Sequence, residues 1–121
     1  MSQKILYIED EEQIGSIQIE RLKQASFEAR WVESISAAEE IAKTFQPDLL
    51  LVDNGLKEGK QGIEAIPDLK QFFPKAKIVI YSNYENKQKK DQAKELGADN
   101  YWVKLEVKGE SLVQAITELL K

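Results

Sequence analysis

The 121-residue chain is predicted to form an α/β domain: a doubly wound (βα)5 arrangement with a five-stranded parallel sheet covered on both faces. Three observations carry that expectation. Short apolar runs alternate with amphipathic helical patterns five times over, as right-handed β-α-β crossovers require. The most apolar run, Leu49-Leu50-Leu51-Val52, has no polar alternation and reads as a strand buried on both faces. Four of the runs end in residues able to do chemistry: Glu9-Asp10, Asp53, Ser82 and Lys104. A parallel sheet brings such ends to one edge, where open α/β sheets bind ligands.

The elements follow in order. Residues 4–8 are a β-rich run that stops at Glu9-Asp10-Glu11-Glu12. A helix takes over from Ile14, with Ile14, Ile17, Leu22 and Ala25 expected inward, and with acids at its start suiting the helix dipole. Residues 27–32 alternate as a second strand. Ser34 or Ser36 then caps a helix reaching about Thr44, with Ala37, Ala38, Ile41 and Phe45 inward. Pro47 leads into the central strand, and residues 54–61 form a polar loop containing Gly55 and Gly59. A third helix is expected from Gly62, with Pro67 early, where its missing N–H is tolerated, and Pro74 at its close. Residues 77–81 make the fourth strand, 85–96 the fourth helix with Gly97 as its C-terminal stop, 101–103 the fifth strand and 110–120 the fifth helix. No repeat or linker divides the chain, so one domain over 1–121 is expected.

Composition excludes several chemistries. There is no cysteine and no histidine, which rules out disulfides, thiolate or histidine zinc sites and a Ser-His-Asp triad. A net charge of −4 leaves no electrostatic footprint for direct nucleic-acid binding. No run is long and apolar enough for a membrane span, and no signal peptide opens the chain, so a cytoplasmic location is expected.

At the strand ends, carboxylates gathered in one cleft repel one another unless a cation intervenes. A hard, oxygen-liganded ion such as Mg²⁺ suits them best. Lys104 adds a point charge for a carboxylate or phosphate oxygen, and Ser82 adds a hydroxyl. Together these are the parts needed to make and hold an aspartyl-phosphate. Each residue has a plainer reading when taken alone: Asp53 as a turn cap, Ser82 as a strand end, Lys104 as a snorkelling surface lysine, Glu9–Glu12 as a solvated helix start. It is their joint placement that argues for a site.

On these positions the sequence resembles a response-regulator receiver domain, the phosphoacceptor half of two-component signalling, with a flavodoxin- or CheY-like fold. The resemblance implies strand order 2-1-3-4-5 and the following roles. Asp53 is the phosphoacceptor, supplied by a sensor histidine kinase or a phosphotransfer protein. Glu9, Asp10, Asp53 and the Gly55 backbone carbonyl hold Mg²⁺. Ser82 and Lys104 bind the phosphoryl oxygens, and Ser82 with Tyr101 forms the switch. The output surface is the fourth helix, fifth strand and fifth helix, facing an unidentified downstream protein or a second copy of the chain. The domain is a signalling acceptor and not an enzyme, beyond self-phosphorylation from small donors and autodephosphorylation.

Several features depart from the family pattern. Leu105 follows Lys104 where proline and a cis peptide are usual, and Lys57 stands where proline is common. The loop after Asp53 is one residue longer, and Asn83 replaces a small residue. These favour the alternative of a pseudo-receiver, a constitutive interaction module independent of phosphorylation. A haloacid-dehalogenase-type phosphohydrolase would want an aspartate where Gly55 stands, and neither a G-x-G-x-x-G turn nor a P-loop follows the first strand.

Overall fold

A computed structural model of the protein describes residues 2–57, 59 and 61–121. Ten elements alternate strictly: β1 (Lys4–Ile8), α1 (Glu12–Gln24), β2 (Glu28–Val32), α2 (Ile35–Ile41), β3 (Leu49–Asp53), α3 (Ile66–Phe72), β4 (Lys77–Ser82), α4 (Lys87–Leu96), β5 (Asn100–Val103) and α5 (Glu110–Leu119). The five strands form one parallel sheet in the order β2-β1-β3-β4-β5. β3 lies at the centre and all five of its residues are buried, which is why its sequence carries no alternation.

The sheet separates two cores. Leu6, Ile8, Leu50, Val52, Ile78, Ile80 and Tyr101 face one layer, built on Ile35 and Ala38 of α2, Ile66 and Leu69 of α3 and Ala93 of α4. Ile5, Tyr7, Leu49, Leu51, Val79, Tyr81 and Trp102 face the other, built on Leu22 of α1 with Leu112 and Ile116 of α5. Side chains alternate along each strand, so even-numbered residues of β1, β3 and β4 look to the first layer and odd-numbered ones to the second. β5 has the opposite parity.

Helix ends follow local chemistry. The Ser34 hydroxyl accepts the Ala37 N–H at 3.1 Å and the Asn86 amide accepts the Lys89 N–H at 2.9 Å, capping α2 and α4. Gly97 closes α4 at φ 109°, in the left-handed region. Of α4, only Ala93 is fully buried.

Several expectations are corrected. α1 begins at Glu12, earlier than Ile14, and its buried residues are Gly15 and Leu22. Ile17, expected inward, is 61% exposed. Gly15 sits where a side chain would collide with the Trp31 indole, so the helix packs through a glycine that an apolar count overlooks. α2 ends at Ile41, short of Thr44, and α3 starts at Ile66, after a run of turns from Gly62. Two residues of the polar loop expected over 54–61, Glu58 and Lys60, lie outside the described residues.

Candidate functional site

Register alone brings the strand ends together. Ile8 pairs with Val52, so Glu9 and Asp53 come next to each other; Asp53 pairs with Tyr81, which sets Ser82 one step beyond; Ser82 pairs with Val103, which sets Lys104 one step further. The chain runs from β1 outward to β2 and then crosses back to β3, so the order reverses between β1 and β3. The crevice at such a reversal is where open α/β sheets hold ligands, and here it is flanked by Glu9, Asp10 and Asp53.

Parity then decides which groups touch. Glu9, Asp53 and Lys104 continue the α1/α5 side of the sheet and Ser82 continues the other. Glu9 is 1% and Asp53 4% exposed, and buried charges need partners. Lys104 Nζ supplies them, donating to Glu9 Oε1 at 2.8 Å and standing 3.3 Å from Asp53 Oδ1. The Tyr7 hydroxyl also donates to Glu9 Oε1, at 3.0 Å, and the Glu11 N–H donates to Glu9 Oε2 at 3.2 Å. The Gly55 N–H donates to Asp53 Oδ1 at 3.1 Å. The Tyr81 ring lies 5.6 Å from the ammonium, within cation–π range.

These contacts set the protonation of the cluster. Burial is the largest influence on Asp53 and pushes its carboxyl up to about 6, against the pull of Lys104 and the Gly55 N–H, with Glu9 adding to the rise. Burial pushes Glu9 upward too, but the Lys104 hydrogen bond and charge, with the Glu11 N–H, outweigh it and hold the carboxyl below the usual range. For Lys104, burial opposes the charge, yet the two carboxylates keep its pKa above that of a free lysine. Burial and the Glu9 charge raise the Tyr7 phenol, so it stays a donor.

Ligand oxygens of Glu9, Asp10 and Asp53 all lie within 4.8 Å of one another. Asp10 Oδ2 accepts the Lys57 N–H at 2.7 Å, while Asp10 Oδ1 is buried with no hydrogen-bond partner. A buried, unpartnered carboxylate oxygen is unfavourable in isolation and suits a cation held among carboxylates. The residues present therefore fit a hard divalent ion.

The remaining site residues are placed as follows. Ser82 is buried at the sheet edge, and its oxygen accepts the Tyr84 N–H at 3.3 Å. Tyr101 is buried on the Ser82 side of the sheet, with its hydroxyl donating to the Tyr84 carbonyl at 2.8 Å. Gly55 is exposed on the loop after β3. There is no cis peptide among the described residues, so the Lys104–Leu105 bond is trans, and Lys104 reaches both carboxylates from it. Asn83 is exposed.

Sequence reasoning missed four groups. Tyr7 lies two residues before Glu9 and so on its face of the strand, a placement that alternation could have exposed. Tyr81 lies beneath Lys104 by the same rule. Trp31, paired with Tyr7 in the β1–β2 register, donates from Nε1 to the Glu9 carbonyl at 2.7 Å. The Lys57 amide left no signal, because a backbone donor can belong to any residue except proline.

Comparison with known proteins bears on this geometry. Residues 5–117 match the family model of the response regulator receiver domain. The chain is 29% identical over 120 residues to the chemotaxis protein CheY of Halobacterium salinarum, covering 99% of this chain and 98% of that protein. It is 30% identical over 107 residues to the response regulator protein VraR of Staphylococcus aureus, covering 86% of this chain and 50% of that protein. A CheY-like receiver from Methanospirillum hungatei superposes with a TM-score of 0.89 at 21% identity, over 99% of this chain and 94% of that one. A response regulator from Burkholderia pseudomallei, solved with a phosphorylated aspartic acid and a calcium ion, superposes with a TM-score of 0.83 at 25% identity, over 98% and 74% of the two chains.

Proposed function

The chain belongs to the response regulator receiver domain family of two-component signalling, and from that premise we propose that Asp53 is its phosphoacceptor and that phosphorylation controls a protein-interaction surface. The observation that carries the reading is the buried Asp53 carboxylate, 3.3 Å from the Lys104 ammonium and within 4.8 Å of the Glu9 and Asp10 ligand oxygens.

Glu9, Asp10, Asp53 and the Gly55 carbonyl would hold Mg²⁺, which when bound neutralises the carboxylates and the incoming phosphoryl oxygens. An Asp53 carboxylate oxygen attacks phosphorus of a phosphohistidine on a sensor kinase or phosphotransfer protein. The new P–O bond forms as the P–N bond breaks, and the imidazole leaves with the electron pair. Lys104, which bridges Glu9 and Asp53, is in position to pair with a phosphoryl oxygen. The Ser82 hydroxyl donates to another from the opposite side of the strand edge.

Ser82 and Tyr101 share the α2/α3/α4 side of the sheet, and both hydrogen-bond the Tyr84 backbone, one at its N–H and one at its carbonyl. Movement of Ser82 toward a phosphoryl group therefore shifts the loop from which α4 starts. With Ala93 its only fully buried residue, α4 is free to respond, and the α4–β5–α5 face is the output surface for a downstream protein or a second copy of the chain. Among the described residues no helix is long and apolar enough to cross a membrane.

The test is intact mass after incubation with a small acyl phosphate and Mg²⁺. One added phosphoryl group, lost in Asp53→Asn and without metal, is the expected result. No adduct under any donor, together with no response to beryllofluoride, would move the reading to a pseudo-receiver.

A further inference from the structure

We propose that the backbone amide of Lys57 is a positioning donor for Asp10, holding its carboxylate with one oxygen turned to the cation and tying cation binding to the loop after β3. This rests on Asp10 being a cation ligand and goes beyond it, because it assigns a role to a backbone donor outside the proposed ligand set.

Three observations combine. Asp10 Oδ2 accepts the Lys57 N–H at 2.7 Å, a short contact of the charge-assisted kind. Asp10 Oδ1 is buried and has no hydrogen-bond partner. The Lys57 side chain is exposed, so the backbone makes this contact with Asp10 and the ammonium is not needed for it. A carboxylate anchored through one oxygen loses rotational freedom and presents the other in a fixed direction. Hydrogen bonds of this outer kind orient metal ligands, and their removal commonly weakens metal affinity by about 10–100-fold.

The donor exists because residue 57 is not proline, which has no N–H to give. Lys57 follows β3 closely in the chain, and its amide bonds the acid just after β1. Anything that withdraws the loop also releases Asp10.

The experiment compares Mg²⁺ affinity, by calorimetry on the full chain, across wild type, Lys57→Pro, Lys57→Ala and Asp10→Asn. We expect Lys57→Ala to bind as wild type, Lys57→Pro about tenfold more weakly, and Asp10→Asn most weakly of all. In the amide NMR spectrum of the metal-free protein, the Lys57 proton is expected downfield and should move upfield in Asp10→Asn.

Wild-type affinity in Lys57→Pro overturns the proposal and leaves Asp10 as a ligand. Equal losses in Lys57→Ala and Lys57→Pro assign the effect to the ammonium and also overturn it. No Mg²⁺ binding by wild type, or undiminished binding by Asp10→Asn, overturns the ligand reading together with the proposal. If Lys57→Pro does not fold, the NMR comparison decides: an unmoved Lys57 amide in Asp10→Asn refutes the contact.

Discussion

Gly15→Ala separates a local propensity from a tertiary constraint, because the two have opposite signs. Gly15 lies inside α1, where alanine should stabilise by about 0.8–1 kcal/mol. A β-carbon there, however, would stand 2.2 Å from Trp31 Cε2, 2.3 Å from Cζ2 and 2.6 Å from Nε1. The indole has to move, and it is held by its 2.7 Å bond to the Glu9 carbonyl. Overpacking costs about 1–3 kcal/mol and a lost hydrogen bond about 0.5–1.5 kcal/mol. The net expectation is a loss of about 1–3 kcal/mol. With a urea m-value of roughly 1–2 kcal/mol/M, the unfolding midpoint should fall by about 0.5–3 M. In a Trp31→Ala background the obstruction is gone, and the same substitution should stabilise by up to about 1 kcal/mol. A neutral or stabilising Gly15→Ala in the wild-type protein, or an unchanged penalty without Trp31, would refute the reasoning.

Three further outcomes follow from the acid cluster. The metal-free Asp53 carboxyl, raised by burial to about 6 from an unfolded value near 3.9, contributes stability that is full below about pH 4 and lost as pH rises through about 6. Asp53→Asn should therefore gain on wild type between pH 4.5 and 7.5 in urea melts without metal, and a pH-independent difference would contradict this. Tyr7→Phe removes one donor to Glu9 and should lower stability by about 1–2 kcal/mol, read from the same melts; no change would mean that Lys104 alone satisfies Glu9 Oε1. Lys104→Met leaves two buried carboxylates without their cation, with an expected loss of about 3–5 kcal/mol that millimolar Mg²⁺ partly restores; a variant indifferent to Mg²⁺ would count against a cation site here.

The architecture was legible because burial leaves its mark on strands. Leu49–Val52 could be read as a central strand since both faces of β3 are covered. The same logic put Glu9, Asp53, Ser82 and Lys104 at strand ends, and register then brought them side by side. What sequence did not reveal depends on neighbours remote in the chain. Ile17 fits an inward helical stripe, but α1 packs through Gly15 against Trp31, and Ile17 lies exposed. Tyr7 looked like ordinary strand filler until Glu9 needed a donor. The strand order came from resemblance, since alternation of elements specifies handedness and not order.

The division of the interior by the sheet has an optical consequence. Both tryptophans belong to the α1/α5 compartment: Trp102 lies in that core, and Trp31 packs against it. The opposite compartment, with α4 and Tyr101, contains none. Intrinsic tryptophan emission is thus a one-sided reporter. It should register changes near Glu9 directly, through the indole hydrogen bond, and sense motion of α4 only after transmission through the sheet. A tryptophan introduced at exposed Tyr84 would illuminate the dark half, and the lag between the two signals would time the passage of a change from one side of the domain to the other.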